Sequence, residues 1–152
     1  MMEKVKADSM KSINVDLLIG HVFKLWMKSK KQILDEFGLT GPQYKILSAI
    51  YFLGTLKKEI IQIDLSEETG IDPMTTSTIL RNLEKSNMIT RIRGTVNTRV
   101  IYIELTDKGE TLYNMASSKM KSCCNSLYRN IDEKNLTAQL LVLSNELNKL
   151  NN

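Results

Sequence analysis

Histidine occurs once in these 152 residues, proline twice, and cysteine twice as a single adjacent pair, Cys123-Cys124. One imidazole, scattered acids, no glycine-rich phosphate loop and no nucleophile motif leave no catalytic constellation. The chain is therefore expected not to be an enzyme and to carry no cofactor. Two neighbouring cysteines build no disulfide framework, which points to a reducing, cytoplasmic setting. No stretch approaches the ~18 consecutive apolar residues of a membrane span. The opening MMEKVKADSMKS has neither an apolar core nor a small-residue cleavage site, so no secretion signal and no membrane partner are expected.

What remains has a globular profile, with 42% hydrophobic and 25% charged residues in a length suited to one domain. The net charge of +4 and a pI near 9.0 permit an acidic partner.

Few breakers make the helices easy to delimit. From about Val15 to Phe37 the apolar positions Leu18, Val22, Leu25/Trp26, Ile33 and Phe37 recur at helical steps, with lysines on the other face. Thr40-Gly41-Pro42-Gln43 has the form of a capping box followed by a helix as far as Gly54. A polar connector, Thr55 to Glu59, leads to a short helix from about Ile61 to Thr69, closed by Gly70. Asp72-Pro73 then starts a helix running to about Ser86, giving a helix-turn-helix order. Residues 88–93 and Arg99 to Leu105 read as two strands around Gly94, with Arg99, Ile101, Ile103 and Leu105 on one face. Thr106 caps a helix to about Asn130. Asp132 caps a last one with Leu136, Leu140, Leu143, Leu147 and Leu150 as its stripe.

The helix beginning at Pro73 divides its residues by chemistry. Thr76, Ile79, Leu80 and Leu83 form a buried side, and Met74, Ser77, Thr78, Arg81 and Lys85 share the opposite face, with Thr75 beside them. Hydroxyls near a helix start and cations further along suit a helix entering a DNA major groove, where the helix N-terminus itself favours phosphate. Between Arg81 and Ile103 stand five cations, Arg81, Lys85, Arg91, Arg93 and Arg99, against one anion, Glu84. That excess equals the net charge of the whole chain, so the basic balance resides in this helix and the hairpin after it. An arginine-rich hairpin tip beside a recognition helix is a wing that reaches the minor groove.

The run LSEETGIDPMTTSTILRNLEKSNMITRIRGTVNTRVIYIELTDKGETL resembles the central module of the MarR family of bacterial transcriptional regulators. The resemblance is carried by Leu83-Glu84, Arg91, Arg99, Leu105-Thr106-Asp107-Lys108-Gly109 and Leu112, and upstream by LTGPQYKIL. The family's wing aspartate is Asn97 here, which removes the usual ion pair with the wing arginine. Asn87 stands where many members have glycine. The resemblance implies a mainly α fold with a small β-hairpin wing: a winged helix-turn-helix at residues 40–106 between dimerisation helices at 12–38 and 107–152, all in one domain. It implies a homodimer on palindromic double-stranded DNA, acting as a repressor released by a small aromatic or amphipathic effector. The expected DNA-binding residues are Met74, Thr75, Ser77, Thr78, Arg81, Lys85, Arg91, Arg93, Asn97 and Arg99.

Effector candidates are His21, Trp26, Tyr44 and Tyr113. Cys123 and Cys124 offer a thiol-based redox alternative, although packing is the blander reading of a mid-helix pair. One histidine and no cysteine cluster speak against metal sensing. A winged-helix scaffold that binds a protein partner is the other alternative.

Overall fold

Side chains that complete unpaired backbone groups set most helix starts. Asn14 Oδ1 accepts from the amides of Asp16 and Leu17 and opens α1, Val15–Asp35. Thr40 and Gln43 exchange hydrogen bonds, Gln43 N to Thr40 Oγ1 at 3.2 Å and Thr40 N to Gln43 Oε1 at 2.9 Å, opening α2, Gly41–Leu56. Asp64 Oδ2 accepts from Ile61 N at the start of α3, Gln62–Thr69. Asp72 caps α4, Pro73–Lys85, through Thr75 N at 2.9 Å. Two strands, β1 Ile89–Arg93 and β2 Ile101–Leu105, pair antiparallel with Ile89 opposite Leu105 and Arg93 opposite Ile101. Thr106 Oγ1 accepts from Gly109 N at the head of α5, Asp107–Tyr128, and Asp132 Oδ1 from Asn135 N at the head of α6, Glu133–Leu150. These elements come from a computed structural model, which describes residues 14–57 and 59–151. Residues 12 and 13 of the expected first helix, the MMEKVKADSMKS segment and Lys58 of the expected connector lie outside the described residues.

Three boundaries differ from the sequence reading. α1 stops at Asp35, not Phe37, because Gly38 takes a left-handed conformation (φ 64°) and Leu39 N turns back to Leu34 O at 3.1 Å. α2 passes through Gly54 to Leu56, since a lone glycine weakens a helix without ending it. Arg99 lies before β2, in the loop, so it shares no strand face with Ile101 and Ile103.

The chain divides into two compact units, and the division falls inside α5, after Ala116. In the first unit, Ile46 and Leu47 of α2, Leu65 of α3, Leu80 and Leu83 of α4, Ile89 of β1 and Ile103 of β2 are fully buried together with Thr76. The hairpin is fastened to this core by backbone as well, with Ile103 N donating to Ile60 O at 2.8 Å. Only Ile33 and Leu34 of α1 are buried; Leu18, Val22, Phe23 and Leu25 are exposed. In the second unit the stripe Leu136, Leu140, Leu143, Leu147 and Leu150 is exposed along its whole length. Among the described residues no helix is long and apolar enough to cross a membrane.

Candidate nucleic-acid interface

Hydroxyl groups fasten the turn between α3 and α4. Ser66 Oγ donates to Ile71 O at 2.6 Å, Thr76 Oγ1 donates to the same oxygen at 3.2 Å, and Thr69 Oγ1 accepts from Ile71 N. Gly70 supplies the left-handed residue (φ 69°) that the reversal needs. Gln62 Nε2 reaches across to Pro73 O at 3.0 Å, bracing the first turn of α4 against α3.

Held this way, α4 buries Thr76, Ile79, Leu80 and Leu83, the side that its periodicity indicates. Met74, Thr75, Ser77, Thr78 and Arg81 line one shallow surface depression, and Lys85 is exposed further along the helix. Thr78 Oγ1 donates to Met74 O and Arg81 Nε to Ser77 O, so part of their hydrogen-bonding capacity is already used within the helix. As the sequence indicates, the Asp72 carboxylate caps the start of α4, accepting from Thr75 N. Hydrogen bonding from Thr75 holds the Asp72 carboxyl below the usual carboxylate range.

The five clustered cations separate into two kinds. Arg91 lies opposite Ile103 in the hairpin, half-buried, and its Nε and Nη2 donate to Glu84 Oε2 at 2.9 and 2.5 Å. The Arg91 hydrogen bond in turn holds the Glu84 carboxyl low. Arg91 is thus matched by the single anion of the cluster, and its visible role is to join helix to wing. Arg81, Lys85, Arg93 and Arg99 are exposed.

Asn97 shapes the wing tip. Its Oδ1 accepts from Arg99 N at 3.1 Å, and its backbone oxygen accepts from Val100 N at 3.1 Å. A neutral amide therefore supplies the turn acceptor without the ion pair that an aspartate would add. Gly94 is required at the base of the tip, since a Cβ there would stand 2.5 Å from Asn97 O.

The Leu-Thr-x-x-Gly run has a structural purpose that its pattern alone does not disclose. Thr106 Oγ1 donates to Asn87 O at 2.6 Å, and Lys108 Nζ to Ser86 O at 2.9 Å. Both carbonyls lie just past the end of α4, where Asn87 takes the left-handed conformation (φ 57°). Gly109 packs on Met88 so closely that a Cβ would stand 1.9 Å from its carbonyl oxygen. End of helix, start of hairpin and start of α5 meet at one joint.

Of the effector candidates, Tyr44 and Tyr113 come together, with ring centroids 5.8 Å apart, and Tyr51 joins them at 4.8 Å from Tyr113. Ser48 Oγ lies 3.4 Å from Tyr113 Oη. Tyr51 was not among the sequence candidates, although its helical step of seven from Tyr44 marked the shared face. His21 is exposed on α1, and Trp26 lies beneath the Lys30 ammonium, 4.9 Å from its ring centroid. Cys123 and Cys124 are free thiols, each half-buried. Cys123 lines a shallow depression with Lys119, Ser122, Ser126 and Leu127.

Residues 28–116 match the family described as transcriptional regulator SarA/Rot. The HTH-type transcriptional regulator MgrA of Staphylococcus aureus is 28% identical over 107 residues, covering 68% of this chain and 70% of that protein. Among solved structures, a mutant of S. aureus MepR superimposes with a TM-score of 0.73 at 23% identity, over 91% of this chain and 99% of MepR. Another MepR mutant, bound to an oligodeoxyribonucleotide, gives a TM-score of 0.63 at 22% identity over the same shares. A mutant of MarR from E. coli gives 0.67 at 18% identity over 89% of this chain and 97% of MarR.

Proposed function

Because the chain belongs to the SarA/Rot family of transcriptional regulators and has the MarR-type winged-helix fold, we propose that it binds a palindromic operator as a homodimer and represses transcription until a small effector releases it. DNA binding as a transcriptional regulator is the common character of these relatives. The finer reading rests on one observation above the others: four exposed cations, Arg81, Lys85, Arg93 and Arg99, lie on the recognition helix and the wing that follows it. In the MepR complex the same fold is bound to an oligonucleotide. The proposed lobe for DNA is residues 40–106.

The segments at residues 12–38 and 107–152 are proposed to form the dimer. The support is their uncovered apolar surface, with Val22 and Phe23 exposed on α1 and all five stripe leucines exposed on α6. A twofold dimer presents two recognition helices to two half-sites. The Tyr44–Tyr51–Tyr113 cluster supports an aromatic effector, and a cytoplasmic location follows from the reading as a DNA regulator.

The experiment is a titration of the purified chain with duplex DNA from upstream of its own gene, at two salt concentrations. Each phosphate contact releases counterions, so binding must weaken steeply with salt and outcompete random DNA. Binding that ignores salt, or its absence in a folded protein, points instead to a protein-binding scaffold.

A further inference from the structure

The first turn of α4 is poorly suited to phosphate and well suited to a methyl group. Met74 is 82% exposed there, on the helix face that also carries Arg81. Pro73 has no amide N–H to offer a phosphate, Thr75 N donates to the Asp72 carboxylate and Thr76 N to Asp72 O, and that carboxylate adds negative charge at this end. Along the face the nearest cation is Arg81, seven residues on, or about 10 Å at the helical rise. The Met74 backbone is also well fixed, because Gln62 holds Pro73 O and Thr78 holds Met74 O. A flexible, unbranched thioether is thus projected from a braced backbone, with charge for the DNA backbone supplied further along.

In the major groove the one apolar feature of a base edge is the C5 methyl of thymine. A methionine, soft and adaptable in shape, packs against such a group without needing a hydrogen bond. We infer that Met74 is a specificity residue that reads a thymine methyl in the major groove, while Arg81, Lys85, Arg93 and Arg99 hold phosphates. The inference rests on the DNA-binding reading above and goes beyond it by assigning sequence discrimination to an apolar contact.

The test starts from duplexes enriched by the full chain from a random-sequence library. Each thymine of the best duplex is replaced in turn by deoxyuridine, which removes only the methyl. For the unaltered chain, one position in each half-site should cost about fourfold in affinity, the worth of one buried methyl group. Met74→Ala should bind the thymine and uracil forms equally, with an unchanged salt slope, and Met74→Leu should keep the discrimination. Salt-sensitive binding with no uracil effect at any position, or discrimination that survives in Met74→Ala, overturns the methyl contact and leaves the DNA-binding reading intact. Failure to enrich any duplex overturns both.

Discussion

A single carboxylate oxygen joins the recognition helix to the wing: Glu84 Oε2 accepts from both Nε and Nη2 of Arg91, at 2.9 and 2.5 Å. The pair ties β1 to α4 and, on the proposed reading, removes one cation from the surface offered to DNA. Glu84→Gln should release Arg91 and delete a negative charge beside the proposed DNA-binding surface. The slope of log affinity against log salt for random duplex DNA should then steepen by up to about one ion, the share of one added phosphate contact. An unchanged slope would mean that Arg91 stays turned away from DNA even when freed.

Gly109 leaves no room for a side chain, since a Cβ would approach Met88 O to 1.9 Å and Met88 C to 2.8 Å. Both contacts are backbone and cannot swing aside. Gly109→Ala should cost about 2 kcal/mol or more, in the range of overpacked sites. Gly54→Ala is the matched control, because nothing lies within 4 Å of its Cβ position in α2. It should stabilise by roughly 0.5–1 kcal/mol through helix propensity. Thermal unfolding of the two variants checks the contrast, and equal melting temperatures would refute the packing account.

Acid should loosen the part of the fold that carries α3, α4 and the hairpin. Asp72 is held low by Thr75 and Glu84 by Arg91. Partial burial pulls the Asp64 carboxyl up, but the hydrogen bond from Ile61 N and the Lys57 ammonium together outweigh it and hold it low. A depressed carboxyl contributes stability above its unfolded pKa and loses that contribution as pH falls through its folded value. The loss therefore begins below about pH 4, the ordinary carboxylate range, and is absent at neutral pH. Since Asp72 and Glu84 sit at the surface, the effect should be modest. Asp72→Asn keeps a competent cap acceptor and should flatten the acid limb of denaturant midpoint against pH; an unaltered limb would remove Asp72 from the account.

The proposed dimer makes the exposed α6 stripe a direct target. Leu140→Asp and Leu147→Asp should each weaken self-association by tenfold or more, since burying a leucine is worth about 1.5–3 kcal/mol. Sedimentation analysis should show a monomer in the double variant, with helix content retained by circular dichroism. Unchanged assembly would place the interface elsewhere.

The order of elements was legible because its signals are local. Thr40 with Gln43, Asp72 before Pro73, Thr106 and Asp132 each act within three residues, and each caps the helix that its spacing marks. The two faces of α4 were legible for the same reason, since periodicity fixes them. What escaped depends on residues distant in sequence. Nothing in the spacing of Glu84 and Arg91 distinguishes a paired guanidinium from an exposed one, because one sits on a helix and the other on a strand. Arg99 reads as a strand residue by alternation, but Asn97 Oδ1 captures its amide and the ladder begins two residues later. The motif glycine Gly109 and Met88 lie twenty-one positions apart in sequence, so their contact had no local signature. A stripe of leucines on α6 was visible, but periodicity says only that a face exists and not what covers it.

The meeting of Asn87, Met88, Thr106 and Gly109 has a mechanical meaning. The Thr106 hydroxyl on Asn87 O, the Thr106 amide on Met88 O and the close packing of Gly109 on Met88 clamp the foot of the hairpin. The first turn of α5 and the foot of the hairpin are therefore expected to move together, carrying Arg99 at the tip with them.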